Sequence, residues 1–315
     1  MTGNTSTPRA PPGAFYRGSV DNRAEVRDFL TTRRARITPE AAGLPTYGEQ
    51  RRVPGLRRTE VAQLAGMSIE YYTRLERGNL AGVSEPVLDS LARALSLDDA
   101  EREHLFDLAR AASTSARTPR RTGSRAVRPS IYRILDALTA PAYLRNRRFD
   151  ILAANQLCFA LYADVLTPES LPLNLARFMF LDRRAEEVYL DWDAVADDTV
   201  AALRIEAGRN PLDRKLSDLV GELATRSDAF RTRWARHNVR HHRTSAKQIH
   251  NPVVGDLTLT GDALELPGED LILITYTAPA DSPAQEQLGF LTSWTATQIH
   301  EGARGEASKS SSADS

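Results

Sequence analysis

Residues 56–78 read LRRTEVAQLAGMSIEYYTRLERG, a pattern of two short helices broken by a tight turn at Gly66-Met67-Ser68. Val61, Leu64 and Ala65 fall at i, i+3 and i+4, so the spacing predicts one apolar stripe on the first helix. Ser68 suits the N-cap of the second helix, because its hydroxyl can accept from an unpaired N–H of the first turn. Tyr72 and Leu75 give that helix an inward face, and Gly78 is placed to end it. Ala62 and Gly66 are small where the two helices are expected to cross. A helix, a glycine-containing turn and a second helix make the helix-turn-helix pattern, whose second helix enters the DNA major groove. An ordinary helical hairpin has the same spacing. Two further details favour the DNA reading. The outward residues Glu70, Tyr71 and Arg74 can reach bases or phosphates. Arg51, Arg52, Arg57 and Arg58 lead into the first helix, with no acidic residue among 51–58.

Upstream, residues 1–20 are rich in Pro, Gly, Ser and Thr and predict a disordered N-terminus. Asn22-Arg23-Ala24-Glu25 fits a capping box, with Glu25 turned back to the cap N–H, opening a helix whose apolar side is Val26, Phe29 and Leu30. A connection rich in Pro and Gly follows to Gly55, and its arginines suggest backbone contacts with DNA. Downstream, Ser84-Glu85-Pro86 starts a helix with Leu88, Leu91, Ala92 and Leu95 at helical spacing. Asp98-Asp99-Ala100-Glu101 caps another, lined by Leu105, Phe106, Leu108 and Ala109. Residues 21–112 thus predict an all-α, five-helix DNA-binding domain. Residues 113–128, STSARTPRRTGSRAVR, read as a basic linker.

A second domain is expected over residues 129–300. Ile131, Ile134, Leu135 and Leu138 form a helical stripe. Pro141–Leu144 and Phe149–Ala154 suit strands, separated by Arg145-Asn146-Arg147-Arg148 as a turn. Asn155 caps a helix carrying Leu157, Cys158, Leu161 and Tyr162. Helices are expected over Glu186–Ala207, Leu212–Ala224 and Ala229–His237. Gly255–Thr260 and Leu271–Thr277 read as strands, with a turn at Pro267–Asp270, before a final helix carrying Leu288, Leu291 and Trp294. Strands at both ends of a helical middle imply an α+β domain with a mostly antiparallel sheet. Residues 301–315, rich in Ser, Gly and Ala, predict a disordered tail.

The chain has 315 residues, enough for two domains with their own cores. Its 41 basic and 41 acidic residues cancel, but residues 1–128 carry net +6 and the remainder −6. The basic half is the one with the helix-turn-helix, as a phosphate-neutralising surface requires. No apolar run is long enough to span a membrane and no signal pattern opens the chain, so a soluble, cytoplasmic protein is expected. With Cys158 as the only cysteine, no internal disulfide or thiolate metal site can form within one chain. His237 and His241 stand at i, i+4 with His242 and His250 nearby, but no HExxH or paired carboxylate accompanies them, so a structural or solvent-facing role is expected and no metal is assigned. GxGxxG, GxxxxGK[ST] and GxSxG are absent. Neither a catalytic function nor a cofactor is expected.

The helix-turn-helix resembles that of the Xre family of bacterial repressors. The longer string RRVPGLRRTEVAQLAGMSIEYYTRLERG resembles the MmyB-like transcriptional regulators. So do LAANQLCFALY, NLARFMFLD, DWDAVADDTVAALRIEAGRNP, LVGELATRSDAFRTRWARHNV and HNPVVGDLTLTGDALELPGEDLILITYTA, which extends the resemblance over residues 23–297. The resemblance implies a PAS-like second domain binding a fatty-acid-like ligand; periodicity alone gives only α+β. By position in the Xre-like motif, Ile69, Glu70 and Arg74 are expected at base edges. Tyr71 and Arg58 are expected on the backbone with Arg51, Arg52 and Arg57, Ser68 beside them, and Tyr72 in the core. A homodimer on two half-sites of double-stranded DNA is expected. For a ligand carboxylate, Arg177 and Arg204 are the candidates because they sit among apolar residues, and Asn155, Trp192 and Trp234 complete the candidate ligand set. The alternative is a second domain used for dimerisation or protein docking, with no ligand.

Overall fold

The computed structural model describes residues 22–44, 55–113, 127–236, 244–267 and 269–313, with backbone only for Asp164 and 299–313. Arg51 and Arg52, His237, His241 and His242, and all but the edges of the expected linker lie outside the described residues.

The N-terminal half is all-α. It comprises α1 (Asn22–Arg36), α2 (Arg58–Leu64), α3 (Ile69–Glu76), α4 (Glu85–Ala94) and α5 (Asp99–Ser113). Val26, Phe29, Leu30, Leu56, Val61, Tyr72, Leu75, Leu91, Leu105 and Leu108 close its core. The expected cap of α5 forms, with Glu101 N–H donating to Asp98 Oδ1 at 2.8 Å and Asp98 N–H donating to Glu101 Oε2 at 3.3 Å. Leu64, placed on the buried stripe by its spacing, is 37 % exposed, and Ala62 is buried in the core. Gly66 does not serve close helix crossing. A Cβ there would meet nothing within 4 Å, and its role is the left-handed turn at φ +66°. Gly78 has both demands, since its φ is +95° and a Cβ would lie 2.4 Å from the Arg23 carbonyl oxygen on α1.

The C-terminal half is α+β. Its order is α6 (Pro129–Ala137), β1 (Ala142–Asn146), β2 (Asp150–Ala154), α7 (Gln156–Tyr162), β3 (Leu173–Asn174), α8 (Leu175–Leu181) and α9 (Arg184–Val188). Then come α10 (Trp192–Arg209), α11 (Arg214–Arg226), α12 (Asp228–Ala235), β4 (Thr244–Asn251), β5 (Gly255–Leu266), β6 (Leu271–Thr277) and α13 (Pro283–Ala313). The strands form one sheet in the order β3-β2-β1-β6-β5-β4, every pair antiparallel. This is the PAS-like architecture the resemblance implies. One face packs α6 through Ile131 and Leu135. The other packs α7, α9 and α13 through Leu157, Leu161, Ala185, Leu288 and Leu291.

The helix expected over 186–207 is two, because Tyr189 leaves helical geometry to bridge Ile249 of β4. Residues 301–313, expected to be a disordered tail, continue α13. Arg145, read as a turn residue, is the fourth residue of β1 and only 8 % exposed. The turn itself is held by Asn146, whose Oδ1 accepts from Arg148 N–H at 2.8 Å and Asp150 N–H at 3.0 Å.

Candidate functional site

The surface of α3 is built from its capping outward. Ser68 Oγ accepts from Tyr71 N–H at 3.1 Å, which fixes the start of the helix. Ile69 is 38 % exposed, Glu70 and Arg74 are exposed, and Tyr71 is half-buried with the Arg74 guanidinium over its ring at 4.9 Å. Tyr72 is fully buried, as its inward spacing predicts. Glu76, at the end of α3, is 2 % exposed and anchors the motif. Arg34 of α1 reaches it at 2.6 Å, Arg58 of α2 pairs with it, and Tyr72 Oη donates to it at 3.3 Å. Burial pushes the Glu76 carboxyl up, but the hydrogen bonds from Arg58 and Arg34 outweigh this and hold it below the usual range. Arg58 therefore has a structural task as well as an exposed side chain. Arg57 is exposed one residue before α2, and the Glu60 carboxylate accepts from its backbone N–H at 2.6 Å. The outcome is a three-helix corner on which Ile69, Glu70 and Arg74 are exposed and Tyr71 is half-buried against the core.

In the C-terminal half, a cavity of about 110 Å³ lies between the sheet and α10. Its inner end is closed by the buried residues Tyr143, Arg145, Phe149, Tyr189, Thr199 and Tyr276. Its mouth is rimmed by the half-buried Asp198, Ser245, Lys247 and Asp262. Lys247 Nζ is bound to Asp198 at 2.6 Å. Three tyrosine hydroxyls meet behind the wall, Tyr162 lying 3.0 Å from Tyr189 and 2.7 Å from Tyr276.

None of the five residues expected to contact a ligand lines this cavity. Asn155 caps α7 by accepting from Cys158 N–H at 3.0 Å, and its amide donates to the carbonyls of Leu138 and Ala140 at 3.3 and 2.8 Å. Arg177 is on the surface, bound to Glu222 at 2.8 Å. The Trp192 indole donates to the Met179 carbonyl at 3.0 Å, and Trp234 stacks on Phe230 at 5.5 Å. Arg204 is fully buried, but on the opposite side of α10. Sequence reasoning passed over Arg145, because an RNRR run reads as a solvated turn. The available signal was its alternation with Leu144 in a strand whose inner face is otherwise apolar or aromatic.

Arg204 joins the two halves. Its Nη1 donates to Glu25 Oε1 of α1 at 2.5 Å, its Nη2 donates to the Trp234 carbonyl, and its guanidinium lies 4.1 Å from the Trp234 ring centroid. Glu25, expected to face back along its own helix, is 6 % exposed in this contact. His104 of α5 stands 3.8 Å from the same carboxylate oxygen and edge-on to Phe29 at 5.1 Å. Burial pushes its imidazole below the ordinary range, more than Glu25 raises it. One turn along α10, Arg209 binds Glu103 at 2.9 Å and Asp107 at 3.1 Å. Between them Gly208 lies so close to α5 that a Cβ would sit 2.7 Å from the His104 ring. Ile205 packs into the core of the N-terminal domain. One helix thus walls the cavity with Val195, Asp198, Thr199 and Ala202 and docks the helix-turn-helix half with Arg204–Arg209.

Among the described residues, no group of His, Cys, Asp and Glu could hold a metal ion, and no helix is long and apolar enough to cross a membrane. Cys158 is buried, and that burial raises its thiol well above the ordinary range. Comparison with protein families gives two matches. Residues 25–105 match a helix-turn-helix domain. Residues 127–291, more than half of the chain, match the MmyB-like transcription regulator ligand binding domain. No curated protein matches the chain. A DNA-binding helix-turn-helix domain docked on a ligand-binding domain of this kind makes the chain a member of the MmyB-like transcription regulators.

Proposed function

We propose that this protein reads a specific operator through α3, and that a small amphipathic molecule in the cavity beside α10 alters how firmly the two halves are docked. The observation that carries the reading is the double use of α10, cavity wall at its first half and domain contact at its second. A ligand regulates only if it favours one arrangement over another, and a helix shared by both sites supplies that differential contact.

For DNA, Ile69, Glu70 and Arg74 take base edges. Arginine can bind guanine bidentately, and a glutamate can accept from a cytosine amino group. Tyr71, Arg57 and Arg58 take phosphates, with Ser68 at the helix N-terminus and Arg51 and Arg52 from the approach segment. A homodimer on two half-sites one helical turn apart fits the motif. The family resemblance implies a fatty-acid-like ligand. The apolar walls from Phe149, Leu175, Val195 and Ile274 suit such a molecule's carbon skeleton. The alternative is a second domain used only for dimerisation or docking; the cavity walled by the same helix that docks the two halves favours the sensor.

The experiment is selection of bound sequences from a random duplex pool by the purified chain, followed by anisotropy titration of the winner before and after exhaustive delipidation. Small molecules released by the delipidation are identified by mass spectrometry. Enrichment of one sequence and an affinity that changes on delipidation are expected. An unenriched pool would sink the operator reading. An unchanged affinity with nothing released would sink the sensor.

A further inference from the structure

Of the two histidines whose side chains are described, His250 is exposed beside Asp256, whereas His104 is 1 % exposed inside the contact between α5 and α10. Three elements close around its ring. From α1, Phe29 meets it edge-on at 5.1 Å, and Glu25 Oε1 stands 3.8 Å from Nε2, beyond hydrogen-bond reach. From α10, Gly208 presses so near that an added Cβ would lie 2.7 Å from Cε1 and 3.0 Å from Nδ1. Arg204, also on α10, holds the same Glu25 oxygen that His104 faces. On α5 itself, Asp107 is taken up by Arg209 and Arg110. Arg33 of α1 lies over the Phe29 ring and is paired with Glu101 at 2.8 Å. Neither ring nitrogen of His104 has a hydrogen-bond partner among the described residues, and both are sealed from solvent. Buried polar atoms are ordinarily bonded, so two bare nitrogens at a domain contact call for a reason.

The contact accommodates only the neutral ring. An imidazolium carries two N–H donors. Here Nδ1 would hold its proton against Gly208, where no acceptor is in reach. Nε2 would have to share a single carboxylate oxygen with Arg204. The added charge would be buried with one donor unmatched and a second cation beside it, which is costly. Moving α10 off α5 removes both Gly208 and Arg204 and lets water reach the ring. The proton therefore binds the undocked arrangement better, and differential binding of this kind shifts an equilibrium.

We infer that His104 is an acid-operated latch between the two halves: with the ring neutral, α10 stays docked on α5, and a proton on the ring releases it. The latch uses neither the cavity nor the outward face of α3, so it stands or falls independently of the sensor. Docking is at full strength above pH 6.5, the ordinary imidazole value, and weakens as pH falls below it. The docking constant drops by up to about tenfold per pH unit.

The test follows docking in the full chain by energy transfer between dyes on Arg93→Cys of α4 and Lys215→Cys of α11. Both positions are exposed, and Cys158 is buried and does not compete for label. Urea titrations between about pH 8 and about pH 5, the range in which an imidazole changes charge, give the midpoint for loss of transfer. Far-UV circular dichroism is recorded on the same samples. In the parent the midpoint is expected to hold above pH 6.5 and to fall below it, with transfer lost before helix content. His104→Leu and His104→Gln are expected to give flat profiles. If neither variant folds, the parent midpoint still decides together with the His104 ring titration followed by NMR, which the latch requires to lie below 6.5. A parent midpoint insensitive to pH, or variants that keep the parent's pH dependence, would overturn the latch. So would a ring titrating at or above 6.5, or helix content lost in step with transfer, since the acid effect would then be unfolding and not release.

Discussion

Replacing Arg204 by Met tests whether the two halves are held together by charge. The methionine keeps an apolar stem near Trp234 but leaves Glu25, 6 % exposed, without its 2.5 Å partner. Breaking a buried pair by removing one member costs about 3–5 kcal/mol, because the remaining charge is uncompensated. Replacing both members by apolar groups is often close to neutral. Arg204→Met alone is therefore expected to lose about 3–5 kcal/mol, and Glu25→Met a comparable amount. The double variant is expected to recover most of the loss, short of about 1 kcal/mol for the Trp234 carbonyl left without its donor. The assay is urea unfolding followed by two probes. Far-UV circular dichroism reports both halves, whereas tryptophan fluorescence reports only the second, since Trp192, Trp234 and Trp294 all lie there. In the parent the two curves are expected to coincide. In Arg204→Met they are expected to separate, because an undocked half unfolds on its own. A single-variant cost below about 1 kcal/mol, or a double variant equal to the sum of the singles, would refute the argument that this pair carries the docking.

Three other outcomes follow from the same geometry. Gly208→Ala gains up to about 1 kcal/mol of helix propensity but drives a methyl into the His104 ring, an overpacking cost of about 1–3 kcal/mol, so a lower Tm is expected in thermal unfolding. The depressed imidazole of His104, faced by Glu25, Arg204 and Asp107, contributes stability present above its ordinary value of 6.5 and lost as pH falls below it. The loss approaches about 1.4 kcal/mol per pH unit, and His104→Leu is expected to flatten that part of a stability–pH profile. Arg74→Ala is expected to cost about 1–3 kcal/mol at one operator position and to relax base preference there, read by anisotropy against single-base variants.

Local chemistry wrote much of the fold into the chain. The capping residues Ser68, Asp98 and Asn155 mark helix starts because each needs only its own neighbours to make its hydrogen bond. The inward spacing of Tyr72 and Leu75 identifies the buried side of α3, and hence by subtraction the outward face proposed to meet DNA. Alternation and turn residues placed β1, β2, β5 and β6. Strand β4 is not legible, since its residues TSAKQIHN carry a single apolar core position, Ile249.

What the tertiary structure alone decided is where the charges go. In sequence Arg204 reads as an arginine among apolar residues and Arg145 as part of a solvated turn, but the first is paired with a glutamate 179 residues away and the second lines a cavity. Glu25 has the spacing of a helix cap and the location of a domain clamp. Spacing along a chain reports which side of an element is apolar, because burial repeats with the element's period. It cannot report which buried charge meets which partner, because that depends on how elements distant in sequence are brought together. The helix-turn-helix was therefore readable from residues 56–78, whereas α10, the helix that joins cavity to DNA reader, acquired its meaning only in three dimensions.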